Sequence, residues 1–209
     1  MPNTSIQTLQ KRRTQYALSK TLPIDAPQVE SLIKQAMRLA PSSFNSQSSR
    51  AVILFGAESD RFWQIVTEAL RAIVPAEAFA PTEAKMQAFA AGAGTVLFYE
   101  DQDTIKGLQE NFPLYAANFP IFSEHSAGMA QLAVWNTLAD AGIGASLQHY
   151  NPVIDAAVAE AFGIPASWAL RAQMPFGGHA AGFADKTFIA DEGRFLTLGL
   201  PGAARVAAE

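Results

Sequence analysis

The chain has 209 residues, 49% of them hydrophobic and 16% charged, with a formal net charge of −4 and no cysteine. That length fits a single domain, the acidic balance argues against nucleic acid, which demands a basic face, and the missing thiols exclude disulfides, thiolate metal sites and cysteine nucleophiles. No apolar run reaches the ~18 residues of a membrane span, and the amino terminus lacks the pattern of a secretion signal, so a cytoplasmic protein with surface hidden against a second copy is expected.

In chain order, residues 5–19 read as a helix, with Ile6, Leu9 and Tyr16 at helical spacing. Asp25 caps a second helix with Pro27 in its first turn, and its stripe runs Val29, Leu32, Ile33, Ala36, Met37 and Ala40. Residues 51–56 form a buried strand ending in Gly56, after which Ser59 or Asp60 caps a helix to Ile73. A partly helical stretch from Thr82 leads to a strand at residues 94–99, ended by Glu100-Asp101, and a helix to Phe112 stops before Pro113. Residues 120–141 give the longest helical pattern, apolar almost all round, so a central helix buried on several sides is expected, with His125 as a core histidine. A third strand follows at residues 142–147, a helix opens at Asn151-Pro152 and runs to Phe162, and residues 168–176 alternate as a strand. A Gly- and Ala-rich tail from about residue 178 contains two expected strand fragments, at residues 186–188 and 195–196. The sum is an α+β domain, about four short strands covered by many helices.

Three constellations bear chemistry. Arg12-Arg13-Thr14 offers two guanidiniums and a hydroxyl, a receptor for a phosphate monoester of charge about −1.5 to −2. Pro41-Ser42-Ser43-Phe44-Asn45-Ser46-Gln47 presents uncharged donors and acceptors, suited to a heteroatom-rich ring, around an aromatic that a solvated turn does not want. Leu147-Gln148-His149 lies at a strand end before a helix, where backbone N–H groups can donate to a ring atom. The three histidines match no metal-ligand spacing. There is no G-x-S-x-G, and Gly92-Ala93-Gly94 precedes a strand, unlike a dinucleotide fingerprint.

These motifs, in this order, resemble the FMN-dependent nitroreductase family from about Leu9 to Phe188. Arg12-Arg13-Thr14 is similar to the family's opening Arg-x-Ser. Residues 41–47 are similar to its P-S-S-x-N-S-Q loop, and Lys186 stands where the family places a C-terminal base. Residues 94–101 and 146–152 resemble more narrowly the Frm2/Hbn1-like branch, fungal and bacterial proteins linked to fatty-acid-dependent regulation.

The resemblance implies a nitroreductase-like fold, a central mixed or antiparallel sheet in an intertwined homodimer. It implies bound FMN with NAD(P)H as donor, and a nitroaromatic or quinone as acceptor in a ping-pong cycle. It further implies that Arg12, Arg13, Thr14 and Lys186 grip the phosphate. Pro41, Ser42, Ser43, Asn45 and Gln47 would reach the flavin of the other subunit, and Leu147, Gln148 and His149 would set a backbone N–H against the ring. Tyr16 stands where many relatives carry a second base, and Gln148-His149 replaces a small or acidic pair. The competing class is a flavin-binding redox or lipid-responsive regulatory module with little turnover.

Overall fold

The computed structural model describes residues 3–199. Strands β1 (Leu18–Ser19), β2 (Ser49–Phe55), β3 (Gly94–Asp101), β4 (Gly144–Ala145) and β5 (Trp168–His179) form one sheet. Its order is β1-β5-β3-β2, every strand pair is antiparallel, and β4 also pairs with β5. The helices are α1 (Thr4–Lys11), α2 (Ala26–Leu39), α3 (Ala57–Arg71), α4 (Ala80–Ala90), α5 (Gln102–Asn111), α6 (Phe119–Asp140) and α7 (Asp155–Phe162). This is the α+β architecture expected. Among the described residues no helix is long and apolar enough to cross a membrane.

β3 lies between β5 and β2 and is buried along nearly its whole length. Successive side chains point to opposite faces. Val96 and Phe98 therefore join Ala172, Met174 and Phe176 against Val29 and Ile33 of α2 and Val134 and Leu138 of α6. Leu97 and Tyr99 join Leu170 against Phe62, Trp63 and Val66 of α3, Met86 and Phe89 of α4 and Val158 of α7. Both faces are covered, which is why these strands read as continuous apolar runs. α2 opens with a capping box: the Gln28 N–H donates to Asp25 Oδ1 (2.8 Å) and the Asp25 N–H to Gln28 Oε1 (3.2 Å), with Pro27 in the first turn.

Several boundaries differ from expectation, each for a non-local reason. The first helix stops at Lys11 instead of Ser19, because the chain after it is recruited to the sheet edge. Thr14 bridges Ala145, and Leu18 and Ser19 pair with His179 and Gly178. Ser59 is no cap: α3 starts after Gly56, at φ +53°, and the buried Ser59 hydroxyl lies 2.8 Å from Thr95 Oγ1. Glu100 and Asp101 belong to β3 and do not terminate it. Residues 151–154 form a turn before α7, drawn inward by the fully buried Ile154. The third strand shrinks to Gly144–Ala145, and no strand forms at residues 186–188 or 195–196, where the tail is exposed and irregular. α6 buries one side only: Ile121, His125, Met129 and Leu132 are exposed, so His125 is not a core histidine.

Asp101 carries an acid dependence worth testing. Burial by itself raises its pKa. Hydrogen bonds from Ser167 and Thr104, the Arg50 charge at 2.8 Å and the Asp103 N–H outweigh that and hold it below the ordinary 3.8. A depressed native pKa stabilises the fold fully above the unfolded value and loses that contribution as pH falls through the native one. Asp101→Asn should therefore lower stability at neutral pH and flatten the decline below about pH 4. Urea midpoints measured across that range check it; an unchanged acid limb counts against the role.

Candidate functional site

The phosphate-like receptor forms where α1 ends. Arg12 is the C-cap of α1, extended at ψ 109°, and its N–H donates to Thr8 O. The next residues run beside the sheet edge, and the tail returns to meet them. The Ala180 N–H donates to Ala17 O (2.9 Å), Gln15 Nε2 donates to Ala181 O (2.8 Å), and Arg13 donates to the Ala184 carbonyl. A cleft of about 450 Å³ results, lined by Arg12, Arg13, Thr14 and Lys186, together with Gln15, Tyr16 and Asp185. Residues from the two ends of the chain thus meet. The Arg12 guanidinium lies 4.5 Å from the Trp135 ring centroid and that of Arg13 lies 5.5 Å from Phe183, so both cations are oriented by aromatic faces.

The strand end at residues 147–150 lies near the same corner. Leu147 is half-buried against the α2–α6 core, Gln148 is buried and His149 is exposed. The Gln148 N–H is already committed to Gln173 O (2.7 Å), and Gln148 O accepts from the Gln173 N–H (2.9 Å). The bridge to β5 thus engages the Gln148 N–H and leaves that of His149 outside it. Gln173 extends the brace, its Oε1 accepting from the Tyr150 N–H (2.8 Å) and its Nε2 donating to Asn151 Oδ1 (3.1 Å). Burial, then the neighbouring Tyr16, pushes the pKa of the Tyr150 hydroxyl up to about 12.

The serine–asparagine turn lies elsewhere. Residues 41–47 line none of that cleft; Pro41, Ser42 and Gln47 instead line a separate one of about 160 Å³ with Ser126 and Ala130 of α6. Within one chain the structure does not bring the arginines and this turn together. The turn is strained: Phe44, Asn45 and Gln47 have φ of +57°, +51° and +49°. A non-glycine residue in the left-handed region costs about 1–3 kcal/mol, so three such residues need strong fixation. The Asn45 N–H donates to Ser42 O (3.0 Å) and the Gln47 N–H to Ser42 Oγ (3.0 Å); the Ser43 N–H donates to Ser126 Oγ (3.3 Å). Phe44, which a solvated turn does not want, packs on Phe112 (5.1 Å) and Phe119 (5.2 Å). Asn45 and Gln47 are left exposed.

Sequence reasoning missed the residue that anchors this turn. Glu100 is fully buried and accepts from Ser48 Oγ (2.6 Å), Ser49 Oγ and Ser123 Oγ (2.6 Å). Among the described residues no base forms an ion pair with it. The three hydroxyl hydrogen bonds satisfy the buried carboxyl group, which would otherwise be costly to bury. The available signal was a carboxylate closing an otherwise apolar strand.

Residues 9–178 match the sequence model of the Nitroreductase family. The chain belongs to that family. Among nitroreductases, HBN1 of Saccharomyces cerevisiae, whose name is provisional, is 40% identical over 191 residues, which span 90% of this chain and 95% of that protein. The yeast nitroreductase FRM2 is 34% identical over 186 residues, 88% of this chain and 92% of that one. Among solved nitroreductases, CinD from Lactococcus lactis in complex with nicotinic acid has a TM-score of 0.87 at 45% identity, covering 93% of this chain and 100% of that one. The resemblance drawn from the motifs, to the family and to its Frm2/Hbn1-like branch, is borne out, as is the nitroreductase-like fold. Membership gives the chain an oxidoreductase role.

Proposed function

We propose that the protein is an FMN-dependent NAD(P)H oxidoreductase, acting as a homodimer and reducing nitroaromatics or quinones in a ping-pong cycle. The observation that carries this reading is the cleft in which Arg12, Arg13, Thr14 and Lys186 converge from opposite ends of the chain. Three cations and a hydroxyl against the single carboxylate of Asp185 match the charge of a phosphate monoester, so the donor set fits FMN. CinD, at 45% identity, has been solved with chloramphenicol and with 4-nitrophenol, both nitroaromatic compounds, which supports that acceptor class.

FMN, when bound, would supply two-electron redox chemistry between a nicotinamide donor and the acceptor. The chain's own groups hold and orient. Arg12, Arg13 and Lys186 neutralise phosphate, while Thr14 adds a hydroxyl. The His149 N–H, left outside the Gln148–Gln173 bridge, would serve as a fixed dipole for negative charge that develops on the ring. Pro41, Ser42, Ser43, Asn45 and Gln47, which cannot reach the cleft of their own chain, serve the cleft of a second copy. Exposed Ile6 and Leu9 of α1, Ile121, Met129 and Leu132 of α6, and Phe188 and Ile189 of the tail supply apolar area for that association.

The test is anaerobic mixing of FMN-reconstituted protein with NADH and with NADPH. Rapid bleaching of the flavin, reversed by a nitroaromatic, is the expected result. Bound flavin that neither nucleotide bleaches sinks the enzyme reading and favours a regulatory module; protein that takes up no flavin sinks both.

A further inference from the structure

We propose that Glu100 is a positioning residue that locks the amide-bearing turn at residues 45–47 in the geometry that grips a flavin ring. The inference rests on the flavin reading above and assigns a role within it to a carboxylate that the redox chemistry does not use.

Three observations carry it. First, Glu100 accepts three serine hydroxyls from two directions, Ser48 just before β2 and Ser49 at its start, and Ser123 on α6. Second, those serines border the strained turn. Ser48 and Ser49 follow Gln47 directly, and Ser46 Oγ lies 3.4 Å from Ser48 Oγ. Third, α6 holds both ends of the turn from one face. Ser123 reaches the far end through Glu100, and Ser126, one turn along the helix, accepts the Ser43 N–H at the near end. Glu100 is thus the node through which a helix, a strand and a turn with three left-handed residues are fixed to one another. An apolar residue here would fill the space at less desolvation cost, but it could not fix the three hydroxyls. Pre-organised donors lose no freedom when a ligand arrives, so removing the node should weaken contacts at the ring end and leave the phosphate end alone.

The experiment compares two ligands, FMN and riboflavin, which share the ring and differ in the phosphate. Apoprotein of wild type, Glu100→Gln and Ser123→Ala is titrated by flavin fluorescence quenching. Ser123→Ala removes one donor from the α6 side and guards against failure of Glu100→Gln to fold. The expected result is weaker binding of both flavins by the same factor, about ten-fold for Glu100→Gln, the loss that one ordinary hydrogen bond gives. A purely structural role would lower the melting temperature and leave the affinities of the folded fraction untouched, and that outcome overturns the proposal. So does a loss confined to FMN, which would place Glu100 in the phosphate grip. Wild type that quenches neither flavin overturns the flavin reading and this assignment with it.

Discussion

Trp63→Ala should cost this fold a large share of its stability. The side chain is 1% exposed, with its ring centroid 5.0 Å from that of Phe62, 4.8 Å from Phe89 and 5.9 Å from Tyr150. Its indole N–H donates to Thr95 Oγ1 (2.8 Å), which also meets Ser59 Oγ on β3's α3-facing side. Truncating a buried tryptophan typically costs about 3–5 kcal/mol, against a total of about 5–15 kcal/mol for a domain. Trp63→Phe keeps the aromatic contacts and loses the hydrogen bond, so about 1–2 kcal/mol is expected. Urea unfolding of apoprotein at one fixed concentration is the measurement, since flavin and self-association both shift apparent stability. A cost below about 2 kcal/mol for the alanine variant would show that α3 and α4 are not cemented to the sheet by this residue. Tyr150 lies in the same cluster, so the loss should also loosen the strand end at residues 147–150.

How much of this was legible in the sequence depended on how local the cause was. Asp25, Pro27 and Gln28 fix the start of α2 among themselves, and the apolar runs of β2, β3 and β5 need only covered faces to become strands. The end of α1 was not legible. Ile6 and Leu9 keep helical spacing, but Thr14, Leu18 and Ser19 are drawn off the helix by partners at positions 145, 179 and 178. Ser59 looked like a cap because it precedes a helical pattern; Thr95, far along the chain, supplies the competing hydrogen bond.

The site divides in the same way. Arg12, Arg13 and Thr14 stand out as a local cluster of charge and hydroxyl. Lys186 acquires meaning only from the tail's return past Gln15 and Arg13, a contact no periodicity encodes. The turn at residues 41–47 was visible as composition, whereas its three left-handed residues were not, because none is glycine. Glu100 was hidden most completely. In Gly94–Asp101 the pair Glu100-Asp101 reads as the polar end of a strand, and only serines at positions 48, 49 and 123 explain why a carboxylate can sit there fully buried.

Replacing Arg13 and Lys186 together should strip FMN from the protein while leaving riboflavin binding nearly intact. In the proposed reading each residue would offer a charged contact to the phosphate, and such contacts contribute about 1.5–3 kcal/mol apiece. Either alanine variant alone should weaken FMN binding about ten- to hundred-fold. The double variant should fall short of the product of the two, because both line one cleft and neighbouring charges share a network. Arg13 has a second task, since it also donates to the Ala184 carbonyl and faces Phe183, so its loss frees the tail from α1's end. Arg13→Lys separates the two effects: the positive charge stays and the planar fork is lost. If charge dominates, Arg13→Lys keeps most of the affinity. If the hold on the tail dominates, it resembles Arg13→Ala, and Lys186 drops out of the cleft with it. Arg12, oriented over Trp135, would supply the residual grip in every case. Raising the salt concentration should weaken FMN binding to wild type more than to the double variant, because a partly exposed cluster of cations is screened and its absence is not. Equal losses for FMN and riboflavin would remove the phosphate from this cleft, and full flavin occupancy of the double variant after dialysis would remove the cofactor from it altogether.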